Sequence, residues 1–465
     1  MSFGRKTGGL KSALLKSEIT NVPRGTSHFY LIMQLYSTND PSLRVSLREA
    51  IFQGLPNDNG LFMPVHIPAM SKSFIQNLDQ FTFQEIAFQL AKTLTGDEIP
   101  ENDLGGIIQR AINFPAPVIP LEEHTFILEL FHGPSLAFKD FGARFMAETM
   151  SYFNRGAEKE LTILVATSGD TGGAVAAGFH KTPGIRVIIL YPSGKVSPLQ
   201  EKQLTTLGHN ITALEVDGTF DDCQALVKQA FLDAPLRSLL RLSSANSINI
   251  ARLIPQIFYY WEAWKQLYRT RDNIVFVVPS GNFGNLTAGL LAQRMGLPVR
   301  HFVAATNVND VVPEYLKTGN FHARPSIRTI SNAMDVGNPS NFARMLDLFG
   351  STWNIMREHI SGYAFTDDQT RDAMRAVFHE KKYVLDPHGA VGYLAWKTYQ
   401  QEYPDANGIV LETAHPAKFL EEVEAILGET IAIPKPLADI NEKEKRTIRM
   451  KNDYAAFRNL LLELG

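Results

Sequence analysis

The sequence predicts an α/β protein with a parallel sheet covered by helices on both faces, preceded by a mainly helical N-terminal domain. Three observations support this. From about Thr125 onward, short β-branched runs alternate with helical periods, the pattern of strand, turn and helix that builds parallel sheets. Several of those runs end in Gly- and Ser-rich turns that open a helix. Residues 34–112, by contrast, carry helical patterning broken by turn signals.

Bulk properties bound the reading. The chain has 465 residues, with 45% apolar and 20% charged residues, ordinary usage for a globular protein with two or three domains. A net charge of −3 offers no basic field for nucleic acid. No apolar run approaches the length of a membrane span. Cys223 is the only cysteine, which excludes an internal disulfide and a multi-cysteine metal site and suits a reducing cytoplasm. No metal is expected.

Taken in order, residues 1–32 are basic and lack the long apolar stretch and cleavage site of a secretory signal. They are expected to form a disordered extension. Residues 33–112 form the expected N-terminal domain, with one helix opening at Ser46 and another over residues 81–94, stopped by Gly96. The catalytic body is expected over 113–432. Its strands include 161–166, 187–190, 211–216, 274–278 and 302–305, and residues 409–411 make another strand end. Residues 433–465 are charged and helical in pattern, predicting a solvated C-terminal tail.

Five strings carry the chemistry. The first runs Phe131-His132-Gly133-Pro134-Ser135-Leu136-Ala137-Phe138-Lys139-Asp140. An aromatic-flanked lysine can be desolvated, and desolvation favours the neutral amine that attacks an aldehyde. A surface lysine lying on aromatic rings is the commoner case, and local physics alone does not choose between them. The second string, Ser280-Gly281-Asn282-Phe283-Gly284-Asn285, follows a strand and opens a helix. Glycines and free amides there suit an anion such as a phosphate, although a plain tight turn has the same pattern and the spacing lacks the dinucleotide fingerprint.

The third string, Thr167-Ser168-Gly169-Asp170-Thr171-Gly172-Gly173, offers hydroxyls and amides for a substrate carboxylate. Asp170 fits equally as an N-cap. In the fourth, Asn249 and Arg252 stand three apart at a helix start, where amide and guanidinium could converge on a phosphate. The fifth, Glu412-Thr413-Ala414-His415-Pro416-Ala417-Lys418, offers Thr413 as a neutral hydroxyl partner for a ring nitrogen or as a cap. His415 beside it is read as structural.

The first, second, third and fifth of these strings, with residues 191–203 and the openings Leu35-Tyr36-Ser37-Thr38 and Gly60-Leu61-Phe62-Met63-Pro64, resemble the threonine synthase family over about residues 33–430. The likeness is closest to its longer bacterial and fungal form. The resemblance implies a type-II pyridoxal-phosphate enzyme fold with two parallel-sheet lobes, acting as a lyase that converts O-phospho-L-homoserine and water to L-threonine and phosphate. It implies pyridoxal 5'-phosphate held on Lys139 as a Schiff base, a phosphate loop of Gly281, Asn282, Phe283, Gly284 and Asn285, and Thr413 facing the pyridine nitrogen. Ser135, Thr167, Ser168, Asp170, Thr171, Asn249 and Arg252 would bind substrate, with Ser135 standing where the family pattern has threonine. A phospho-lyase releasing 2-oxobutyrate and a non-catalytic cofactor-binding homologue are the competing readings. A cytoplasmic monomer or small homo-oligomer, with no nucleic-acid or membrane partner, completes the expectation.

Overall fold

The computed structural model describes residues 33–167 and 169–464. Two sheets organise the body. The larger has six strands in the order Ile360–Ala364, His301–Thr306, Ile274–Pro279, Asn407–Glu412, Thr125–Glu129 and Val118–Glu122. All neighbours are parallel except the last pair, an antiparallel hairpin at the edge. The smaller sheet is wholly parallel, in the order Ile448–Lys451, Ile211–Asp217, Ile185–Pro192, Leu161–Ala166 and Arg241–Ser244. Its central strands are buried along almost their whole length, as expected when helices cover both faces.

The N-terminal region is mainly helical. Ser46 caps the helix Leu47–Gln53 and Thr82 caps Phe83–Thr95, each through a reciprocal capping box with a glutamate three residues on. Such caps contribute about 1 kcal/mol each. A three-stranded antiparallel sheet, Val45–Ser46, Gln34–Ser37 and Phe62–Pro64, accompanies the helices. Its strands of two to four residues are too short to leave a clear alternation in the sequence.

One apolar core runs through all of these layers. It includes Leu35 and Leu90 of the N-terminal region, Ile163 of the smaller sheet and Phe276 of the larger. The helix Gln256–Leu267 lies within it, burying Phe258, Tyr259, Tyr260 and Trp261. Trp261 meets Phe74, and Tyr260 meets Phe276 edge-on at 4.9 Å. These bulky groups seat the N-terminal helices on the body.

The C-terminal tail departs from expectation. It is not one solvated helix but a helix, Lys435–Asn441, a strand, Ile448–Lys451, and a second helix, Tyr454–Leu464. The strand extends the smaller sheet, and Phe457 and Leu461 are buried in the core beneath it. Charged neighbours hide these few apolar anchors from a composition-based reading. The expected extension at residues 1–32 lies outside the described residues.

Candidate active site

Three neighbouring parallel strands of the larger sheet deliver the cofactor candidates. Thr125–Glu129 leads into the loop before Lys139, Asn407–Glu412 ends at Thr413, and Ile274–Pro279 ends at the glycine loop. Two neighbouring strands of the smaller sheet deliver the rest: Leu161–Ala166 leads to Thr167 and Asp170, and Arg241–Ser244 leads to Asn249 and Arg252. Ligands of such sheets bind beyond the carboxyl ends of the strands.

The lysine loop is tied to the strand end beside it. The Phe138 N–H donates to the Thr413 carbonyl at 2.9 Å, and the His415 N–H donates to the Leu136 carbonyl at 3.0 Å. Leu136 adopts φ 55°, an uncommon left-handed geometry for a branched residue. Lys139 is the first residue of the helix Lys139–Phe153. Its amine is 3.4 Å from Asp170 Oδ2 and 4.8 Å from the Phe138 ring centroid. Burial holds this amine below the usual lysine range; Asp170 opposes the shift, while Lys418 and Arg252 add to it.

Asp170 joins the two lobes. Its Oδ1 accepts from Lys418 Nζ at 2.9 Å and Gln200 Nε2 at 2.8 Å. Burial opposes ionisation, yet Lys418 and Lys139 outweigh it and hold the carboxyl far below the carboxylate range. Lys418 Nζ also donates to the Ser135 carbonyl at 2.7 Å, and Gln203 Nε2 donates to that carbonyl at 3.0 Å. Gly169 takes φ 147°, and a Cβ there would stand 2.7 Å from Gln200 Oε1. Only glycine lets the chain turn so close to that amide.

The glycine loop is braced from within and without. Asn285 donates to the Pro279 carbonyl at 2.8 Å and accepts from Ser280 Oγ and the Leu286 N–H. The Asn341 N–H donates to the Asn282 carbonyl at 3.2 Å. A Cβ at Gly281 would lie 2.4 Å from the Ala333 carbonyl. Phe283 takes the left-handed conformation, φ 59°, at the start of the helix Gly284–Arg294. Among the described residues, no hydrogen bond to the chain is donated by the backbone N–H groups of Gly281, Asn282, Phe283, Gly284 or Asn285. Free amides at a helix N-terminus fit a phosphate, and a desolvated lysine amine fits an aldehyde. The residues present therefore fit pyridoxal phosphate.

These features coincide with whole-chain likeness. Residues 112–412 match the family described as pyridoxal-phosphate dependent enzyme, residues 34–112 match threonine synthase N terminus, and residues 389–461 match threonine synthase, C-terminal. Threonine synthase of Escherichia coli strain K12 is 48% identical over 432 residues, covering 92% of this chain and 99% of the relative.

The chain belongs to the threonine synthase family.

The crystal structure of threonine synthase from Escherichia coli superposes with a TM-score of 0.87 at 47% identity, covering 93% of this chain and 100% of that one. The X-ray structure of pyridoxal-phosphate-bound threonine synthase from Brucella melitensis gives 0.86 at 33% identity, covering 93% and 99%. The type-II fold expected for the family is the fold observed.

Within that family framework, individual site expectations fare differently. Lys139, the glycine loop and Thr413 follow neighbouring parallel strands of the larger sheet, and the Ser135 Oγ, in the lysine loop, is buried without a hydrogen-bond partner. Arg252 is buried too, with its Nε unpartnered, and burial pushes its guanidinium down to about 10. Thr171 is half-buried in the first turn of the helix Asp170–Phe179. Ser168 lies outside the described residues.

Three expected substrate ligands have other work. Thr167 Oγ1 accepts from the Gly169 and Gly172 N–H groups at 3.0 and 2.9 Å, so it shapes its own loop. Asn249 caps the helix Ile250–Leu253, and its Nδ2 donates to the Ile51 and Ser244 carbonyls. It therefore ties the N-terminal domain to the smaller sheet. Asp170 is an anion already held by two lysines and a glutamine, and a carboxylate repels an anionic substrate. His415 accepts from the Ala417 N–H and packs edge-on against Phe131, as a structural histidine does.

Other site residues escape sequence reasoning. Lys418, Gln200 and Gln203 stand in quoted strings but have no local signature. Glu412, the residue before Thr413, accepts from the Asp386 N–H at 2.6 Å. Asp386 in turn accepts from His388, whose Nε2 accepts from the Ala333 N–H beside Gly281. Arg344 is fully buried and donates to Asn341 Oδ1 and to the Phe62, Ser247 and Ile248 carbonyls. It links the N-terminal domain to the glycine loop. Among the described residues no cluster of His, Cys, Asp or Glu could hold a metal, and no helix is long and apolar enough to cross a membrane.

Proposed function

We propose that this chain converts O-phospho-L-homoserine and water into L-threonine and inorganic phosphate, with pyridoxal phosphate carried on Lys139. What supports this reading is a desolvated lysine amine and a loop of free amides, each following a parallel strand of the larger sheet, in a chain of the threonine synthase family. Pyridoxal phosphate, when bound, supplies an electron sink for negative charge on carbon.

The chain supplies the remainder. The amides of residues 281–285 would hold the cofactor phosphate, and Thr413 would offer the pyridine nitrogen a neutral hydroxyl. Arg252 and Ser135, with their unpartnered buried atoms, support binding of the substrate's anionic groups. Lys139 is the base suited to move protons among the α, β and γ carbons, because its amine is neutral more readily than an exposed lysine's. A β C–H proton is removed and the γ C–O bond breaks with its electron pair leaving on phosphate; the water oxygen bonds at the β carbon, its spare proton passing to the released phosphate, and a proton is delivered to the γ carbon. The sum conserves every atom.

We assign residues 33–112 to the N-terminal domain, 113–432 to the catalytic body and 433–465 to the tail. The buried lone cysteine, Cys223, supports work in the reducing cytoplasm, as a monomer or small homo-oligomer. Purified full-length protein incubated with O-phosphohomoserine and pyridoxal phosphate should yield threonine and phosphate in equal amounts. Formation of 2-oxobutyrate and ammonia instead would assign a phospho-lyase, and the absence of either product would overturn the reading.

A further inference from the structure

We infer that Lys418 is a positioning residue that keeps the Lys139 amine free to react by neutralising Asp170 from the side away from it. The inference rests on the proposal that Lys139 carries the cofactor, and it assigns a task to a residue outside that proposal. A carboxylate 3.4 Å from an amine would by itself hold that amine as an ammonium. An ammonium has no lone pair and cannot attack an aldehyde.

The geometry removes this difficulty. Lys418 approaches the other carboxylate oxygen at 2.9 Å, closer than Lys139 does, and its side chain has no solvent exposure. Gln200 Nε2 adds a third donor to the same oxygen at 2.8 Å. The Ser135 carbonyl fixes Lys418 Nζ at 2.7 Å, so the cation cannot swing away to water. Asp170 and Lys418 thus form a closed, nearly neutral pair beside Lys139.

The other charged groups facing this cluster act in the same sense or lie behind it. Arg252, from the helix Ile250–Leu253, is a further buried cation within electrostatic reach of Lys139. Asp140, next to Lys139 in sequence, turns its carboxylate to the Ser135 N–H at 2.9 Å, and its charge falls on Arg252 and Lys418. His388 is within electrostatic reach of Asp170 and favours its ionised form. With Lys418 present, two cations and burial oppose the pull of Asp170 on the Lys139 amine; without it, Arg252 is the one cation left beside burial to oppose that carboxylate.

The test follows the rate at which the full chain, stripped of cofactor, forms the lysine link with added pyridoxal phosphate across about pH 6 to 10. The link is read by absorbance and by the mass gained after borohydride reduction. Lys418→Met should move the half-maximal pH upward by about one unit or more, and Lys418→Arg should restore it toward wild type. Asp170→Asn, nearly isosteric, should move it downward, and it carries the test should Lys418→Met fail to fold. A folded Lys418→Met protein with the wild-type profile, or an Asp170→Asn profile shifted upward, would overturn the inference while leaving Lys139 as the cofactor lysine. A wild-type chain that forms no link on Lys139 at any pH would overturn the cofactor assignment itself, and this inference with it.

Discussion

Phe138 donates its N–H to the carbonyl of Thr413 at 2.9 Å, so the residue before the candidate cofactor lysine is bonded to the residue proposed to face the cofactor ring. The return bond, from the His415 N–H to the Leu136 carbonyl, closes a short antiparallel bridge between Ala137 and Ala414. Positions about 275 apart in sequence thereby become one rigid strip. Backbone bonds of this kind hold a reacting amine far more closely than side-chain contacts could.

Replacing Lys139 with Ala should remove the lysine-linked absorbance, the reduced-cofactor mass adduct and all turnover. The fold should survive, because Lys418 still satisfies Asp170. Thermal unfolding within a few degrees of wild type, together with loss of the adduct, is the expected pair of results.

Gly281→Ala should weaken cofactor binding. The added Cβ would meet the Ala333 carbonyl at 2.4 Å and Met334 Cα at 3.0 Å, both of them backbone, so the loop must move. Overpacking of this kind costs roughly 1–3 kcal/mol, which predicts a cofactor Kd higher by about tenfold or more. Fluorescence titration of the stripped protein measures it.

Arg344→Met should destabilise the chain by about 3 kcal/mol or more, because it leaves several buried carbonyls without a donor. Urea denaturation should register the loss. Cofactor affinity should fall with it, since Asn341, which Arg344 holds, braces Asn282.

Glu412 and Gly389 should respond in opposite ways. Burial, then the adjacent Asp386 carboxyl, pushes Glu412 well above the usual range, which favours its protonated form, and Glu412→Gln, which mimics that form, should be nearly neutral for stability. Gly389→Ala places a Cβ 1.6 Å from Glu412 Oε2. That substitution should cost roughly 1–3 kcal/mol or more, seen as a lowered Tm.

His301 makes stability pH-dependent. Burial, with His359 adding, pushes its imidazole from 6.5 down to about 4. The folded chain therefore resists protonation that the unfolded chain accepts. The associated stability is full above 6.5 and is lost as pH falls through that value toward 4, by up to about 3 kcal/mol. His301→Phe, which keeps the ring stack on Tyr399, should flatten the urea-denaturation profile over that window; an unchanged slope would exclude His301 as its source.

The legible part of this molecule is the part written in neighbouring residues. Strand 161–166 coincides with the observed strand, and Ser46 opens its helix where expected. Capping and alternation act over a few positions, so they leave signatures a few positions long. The roles expected of the glycine loop and Lys139 came instead from the resemblance of whole strings, since local physics left a plain turn and a surface lysine open. The two- and four-residue strands near Gln34 were not legible, because such short pieces owe their conformation to partners far along the chain.

By itself the sequence determined the α/β class, the five chemical strings and, through its likeness to relatives, the family. Only the tertiary structure decided that Thr167 and Asn249 spend their polar atoms on the backbone, and that Lys418 and Gln200 converge on Asp170. The physical reason is range. Hydrogen-bond commitment and charge compensation depend on distances of about 3 Å, and those distances exist only after the ends of two separate sheets have been brought together.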